Sequence, residues 1–324
     1  MTRAGVDGQP AVGTTAAASR PLNTWAWVGI GAASAAVGFL PWAIRGMRLP
    51  LQNLWGSSTL PADMPMALLP FNQYFITLIA GIIVVGAATA GLVARSNRAR
   101  QGRRGLAALT AGLLAVQVIA IVQSAAVVGG GLRPGRESIV YLVAVVAVAV
   151  ASFLIGTLVY VLIARMPPPG ALIGMAIAAI AVGWWLDALV LPDPVSVNEA
   201  QMALIGLVRW VPAFLCGAAI AWCGITTIGR VIAALVAIAA LAIGPAFATA
   251  VTSAAAMRVL APYPTEMLGY GVQVFQQALG NADLTLRPVV TATIVAAAGL
   301  ALAGVLRRRR RQLAAAEARP GNDG

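Results

Sequence analysis

The chain has no histidine and no lysine, so all 22 of its basic residues are arginine. Without histidine there is no imidazole to hold haem, copper or zinc, and the commonest general base is missing. Without lysine there is no Schiff-base chemistry, no phosphate-loop lysine and no retinal attachment. A GC-rich coding sequence accounts for the arginine bias, but the chemistry is removed all the same. Cysteine is scarce: only Cys216 and Cys223 occur. They lie seven residues apart on one expected helix, about 10 Å along its axis. A disulfide needs Cα atoms within about 7 Å, so both read as small packing residues. No cofactor and no metal is expected from this inventory.

Charge is the third scarcity. Only 10% of residues are charged and 60% are hydrophobic, whereas a soluble domain carries roughly a quarter charged residues. The apolar residues fall in long blocks: 24–44, 71–94, 105–128, 139–164, 170–191, 203–225, 231–256 and 289–306. Each is near or above the ~20 residues that cross a bilayer as a helix. Backbone groups in lipid must be satisfied within their own segment, which excludes isolated strands. The fold class expected is all-α: a polytopic transmembrane bundle of about eight spans.

The short connections 165–169 and 226–230 leave no room for a soluble domain. The chain divides into a polar, disordered tail over 1–22, a transmembrane domain over 23–306 and a basic tail over 307–324. The first apolar block is longer than the ~7–15 residue core of a cleaved signal peptide, so it is read as a span.

Arginine sets the orientation. With the N-terminus inside, fifteen arginines face the cytoplasm, including Arg95, Arg98, Arg104, Arg165, Arg230 and the run Arg307, Arg308, Arg309, Arg310, Arg311. Six face outward: Arg45, Arg48, Arg133, Arg136, Arg258 and Arg287. Both termini are therefore expected in the cytoplasm of a multi-pass plasma-membrane protein. The run Arg307 to Arg311 abuts the last apolar block and reads as an anchor on anionic lipid, not as a nucleic-acid surface.

A faint internal repeat is present. Residues 35–43 read AAVGFLPWA and 180–188 read IAVGWWLDA; Leu132-Arg133-Pro134 and Leu286-Arg287-Pro288 precede the fourth and eighth blocks. Duplication would give two parallel four-helix halves, 23–165 and 170–306.

Few residues could carry function. Asp187 and Arg209 are the charges within spans, and such charges are costly unless paired or used. Each is expected about 7–9 Å below the same outer interface at helical rise, as an ion pair between the fifth and sixth spans flanked by Trp184, Trp185 and Trp210. Pro245 in the seventh span is expected to kink or break its helix, and Pro212 in the sixth adds little. Residues 265–280 form an amphipathic helix too short to span. Met267, Leu268, Phe275 and Leu279 belong to its apolar face, the glutamines to the other, and Gly280 to its C-cap.

No catalytic, nucleotide or metal motif stands out. The leading expectation is a non-enzymatic membrane protein, a transporter-like permease or a membrane subunit of a larger assembly, handling a lipid or other apolar substrate. Its partners would be the lipid bilayer and a membrane or extracytoplasmic protein. The competing reading is a membrane-embedded transferase for lipid-linked substrates, with Asp187, Asp193 and Glu266 as the outer acids. A purely structural scaffold is the third reading.

Overall fold

The computed structural model describes residues 23–102, 104–191, 198–260 and 262–317. The expected N-terminal tail, Arg103, Asp193 and the last seven residues lie outside them. Within them the chain is helical and holds no named strand: α1 Thr24–Ile44, α2 Ile76–Ser96, α3 Gly105–Gly131, α4 Arg136–Arg165, α5 Pro168–Val190, α6 Glu199–Val208, α7 Val211–Cys223, α8 Ile228–Ala256, α9 Pro264–Gly280 and α10 Leu286–Glu317. Taking α6 and α7 as one segment, eight are long and apolar enough to cross a membrane. The chain is an integral, multi-pass membrane protein. The starts of α1, α3, α5 and α8 and the ends of α2, α4, α7 and α10 share what is called here the arginine-rich face.

Of Pro212 and Pro245, only the first marks a break. The sixth span breaks at Arg209–Trp210, and Pro212 opens α7. A proline there has no N–H for the carbonyl of Val208 and its ring crowds that carbonyl. The chain answers with a tighter turn, in which the Trp210 N–H donates to the Leu207 carbonyl at 3.1 Å. Pro245, by contrast, lies within an uninterrupted α8. α10 also runs past the expected boundary at 306, carrying Arg307 to Arg311 as an exposed helical extension.

Small residues set the helix spacing. Bilayer lipid supplies little hydrophobic force between helices, so association depends on close packing. A Cβ on Gly38 would collide with the Ile82 carbonyl of α2, and one on Gly31 with the Leu109 carbonyl of α3. A Cβ on Gly217 of α7 would sit 2.5 Å from the Ala292 carbonyl oxygen of α10. The same neighbours recur in each half: α1 packs on α2 and α3, and α2 on α4, while α5 packs on α7 and α8, and α7 on α10. One core fills α1–α4, a second fills α5, α7, α8 and α10, and a third joins α2 and α4 to α5.

Arginines lock the helix ends. Cations suit helix C-termini, where carbonyls are unsatisfied. Arg95 donates to the carbonyls of Ile163 at 2.9 Å and Met166 at 3.0 Å, and Arg98 to that of Ala164 at 2.7 Å, closing α4. The Arg95 guanidinium also lies 5.0 Å from the ring centre of Trp222 at the end of α7.

The opposite face of the first half is covered by residues 45–75. This segment buries Leu49, Met64, Leu69 and Phe71. Polar groups within it bond to the helices beneath: the Tyr141 hydroxyl donates to Gln52 Oε1 at 2.5 Å, and the Leu69 N–H donates to Ser124 Oγ at 2.8 Å. The Trp55 ring occupies the space a Cβ on Gly131 would need. The chain enters this cap through Gly46 and Met47, at φ 80° and 53°.

Candidate functional site: a two-charge cavity between α5 and α6

The last turn of α5 and one face of α6 border an open cavity of about 440 Å³. Asp187 and Leu191 line it from α5; Met202, Ile205, Gly206 and Arg209 line it from α6. Those four α6 positions follow the three- and four-residue spacing that puts side chains on one helix face. Gly206 has open space where a Cβ would go.

The walls are built by capping and by the break. Asn198 and Gln201 form a capping box at the start of α6: the Gln201 N–H donates to Asn198 Oδ1 at 2.8 Å, and the Asn198 N–H to Gln201 Oε1 at 3.0 Å. The Gln201 amide also donates to the Val190 carbonyl at 3.4 Å, tying α6 to α5. At the other end, the turn at Arg209 lets α6 leave the line of α7. On the far side of α5, Arg45 donates to the carbonyls of Ala188 and Leu191. The Trp185 indole N–H donates to the Gly38 carbonyl at 2.8 Å. These contacts hold α5 to α1 and its C-cap within four residues of Asp187.

The structure brings Asp187 and Arg209 to one cavity but leaves them short of the contact of an ion pair. Among the described residues the ion pairs are Arg133–Glu137 at 3.0 Å and Arg287–Asp283 at 2.8 Å. The cavity therefore carries a half-buried carboxylate and an exposed guanidinium, neither in an ion pair among the described residues, on otherwise apolar walls. An unneutralised charge at bilayer depth is costly. Such a site suits a molecule that brings both charges with it.

The other sequence candidates are dispersed. α9 forms as expected and packs along α8, with Gly271 against Ala254. Its contact with α8 takes up part of the expected apolar face: Met267, Gly271, Val274 and Phe275 are partly covered and Ala278 is 7% exposed, whereas Leu268 is 70% and Leu279 40% exposed. The apolar stripe is wider than the α8 contact, and its 268–272–279 edge faces outward. Gly280 is the last helical residue and Asn281 the cap. Glu266 is exposed on α9. Cys216 and Cys223 are buried free thiols, and no group of three or more metal-ligating side chains gathers among the described residues.

Sequence reasoning singled out the two charges and missed the rest of the site. Met202, Ile205, Gly206 and Arg209 show the one-face spacing, a signal present in the sequence. Arg45 gave no sign of reaching α5, 143 residues away. Compared with known proteins, the chain matches no family model, no curated protein and no solved structure.

Proposed function

We propose that the protein is a lipid-handling membrane protein of the permease type, and that the α5–α6 cavity receives a zwitterionic headgroup. One observation carries this reading: Asp187 and Arg209 face a common cavity of about 440 Å³ without pairing with each other. A phosphatidylethanolamine-like headgroup would place its ammonium at Asp187 and its phosphate at Arg209, with charge-assisted hydrogen bonds to each. Leu191, Met202 and Ile205 would meet the apolar part. The Arg distribution favours the cytoplasm for the arginine-rich face, which puts the cavity toward the outer leaflet of the plasma membrane. The recurring helix neighbours and the paired sequence segments support an origin by duplication of a four-helix half.

Photo-crosslinking tests the headgroup assignment. A diazirine amino acid in place of Gly206 faces the cavity; one in place of Leu207, 66% exposed on the same helix, faces away. In nanodiscs of phosphatidylethanolamine and phosphatidylglycerol, position 206 should capture phosphatidylethanolamine preferentially, and Asp187→Asn should abolish the preference. Position 207 should show neither effect. Capture at 206 that ignores both headgroup and Asp187 contradicts the proposal.

A further inference from the structure

A second cavity, of about 350 Å³, opens on the arginine-rich face between the first turns of α1 and α3. Trp25 and Val28 line it from α1, and Arg104, Ala107 and Ala111 from α3. The two helices run parallel and are jammed together further in: a Cβ on Gly112 would strike the Val28 carbonyl, and one on Gly31 the Leu109 carbonyl. Between that contact and the helix starts, alanines at 107 and 111 leave a groove with apolar walls.

Several donors in and beside this groove have no acceptor among the described residues. Neither α1 nor α3 has a side-chain cap at its start; the Gly105 N–H donates to the Gly102 carbonyl at 2.9 Å, and the remaining first-turn N–H groups leave both helix starts positive. The Trp27 indole N–H is buried without an acceptor, 1% exposed, and lies 2.9 Å from where a Cβ of Gly105 would be, in the first turn of α3. Arg104 is exposed and, among the described residues, bonds no other side chain or carbonyl, in contrast to Arg95 and Arg98, which close α4. Trp25, 78% exposed, stands beside the cavity where an interfacial tryptophan would border headgroups.

We propose that this groove holds an acidic phospholipid of the adjoining leaflet. Its phosphate rests on Arg104 and the paired helix starts, and an acyl chain lies along Val28, Ala107 and Ala111. Positive charge at the mouth and apolar walls at bilayer depth together select an anionic amphiphile. The proposal is independent of the α5–α6 cavity, which lies toward the opposite face.

Native mass spectrometry of the full chain tests it. The purified protein is mixed with micelles containing equal amounts of phosphatidylglycerol and phosphatidylcholine, and the retained lipid is weighed on the intact protein. The wild type should hold one phosphatidylglycerol several-fold in excess over phosphatidylcholine. Arg104→Gln, at an exposed position where folding is not at stake, should bring retention down to the phosphatidylcholine level. Ala107→Leu, which fills the groove, should do the same, and Arg100→Gln should retain the wild-type excess. Unchanged retention in Arg104→Gln overturns the proposal, and so does equal retention of the two lipids. Competition by free glycerol phosphate at the same concentration overturns it as well, because the ligand would then be a water-soluble phosphate.

Discussion

Gly217→Ala measures how the last span is held. α10 packs mainly on α7, and the contact is made through small residues. A Cβ at position 217 would lie 2.5 Å from the Ala292 carbonyl oxygen and 2.7 Å from Val295 Cβ, where ordinary contact begins at 3.4 Å. The Ala292 oxygen is backbone and Val295 Cβ is fixed directly to backbone, so no flexible side-chain end can swing away and α10 must retreat by about 0.9 Å, the difference between 3.4 and 2.5 Å. A gap of that size forfeits a quarter to a half of each dispersion well along the seam, and overpacking of this kind costs roughly 1–3 kcal/mol. At about 2 kcal/mol the folding equilibrium shifts roughly thirtyfold. The matched control is Gly29→Ala in α1, where a Cβ meets nothing within 4 Å; helix propensity should make that change neutral or stabilising by up to about 1 kcal/mol. Thermal unfolding in a mild detergent separates the two. Gly217→Ala should melt several degrees below the wild type and Gly217→Val lower still, with Gly29→Ala at or above it. Equal melting of Gly217→Ala and Gly29→Ala would refute the packing argument.

Three further outcomes are expected. Gly131→Ala drives a Cβ into the Trp55 ring and should loosen the 45–75 cap, exposing it to proteolysis; adding Trp55→Ala should relieve the clash and recover part of the protection. A cysteine at Gln276 of α9 should react with a water-soluble maleimide far faster than one at Ala278, which packs on α8, and equal rates would contradict the packing seen for α9. Fusions of a cytoplasm-only reporter after Gly324 should be active and export-only reporters silent; the reverse pattern would invert the membrane orientation drawn from the arginines.

The eight-span bundle was legible because long apolar blocks need only helical rise and bilayer thickness to be interpreted. The start of α1 and the end of α8 fall where the blocks do. The breaks were not legible in the same way. Pro212 and Pro245 look alike in sequence, yet only the first coincides with a break, because Arg209 and Trp210 supply a tight turn before it while α8 absorbs Pro245 into a continuous helix. The amphipathic stripe of α9 was legible, but not which part of it meets α8, because the stripe, with Leu268 and Leu279 at its edge, is broader than the single helix it packs on. The site was half visible. Intramembrane charges stand out in a chain this apolar, but the contacts that position them, Arg45 on α5 and Trp185 on Gly38, depend on tertiary structure across more than 140 residues.

Lipid movement in proteoliposomes tests the central claim most directly. Vesicles containing the protein and a trace of fluorescent phosphatidylethanolamine are treated with a membrane-impermeant quencher, and the loss of inner-leaflet fluorescence is followed over time. The wild type should accelerate the slow phase over protein-free vesicles, and Asp187→Asn and Arg209→Gln should each remove most of that acceleration. Gly29→Ala should keep it. A wild-type protein, folded and inserted, that leaves the slow phase at the rate of empty vesicles would contradict the account.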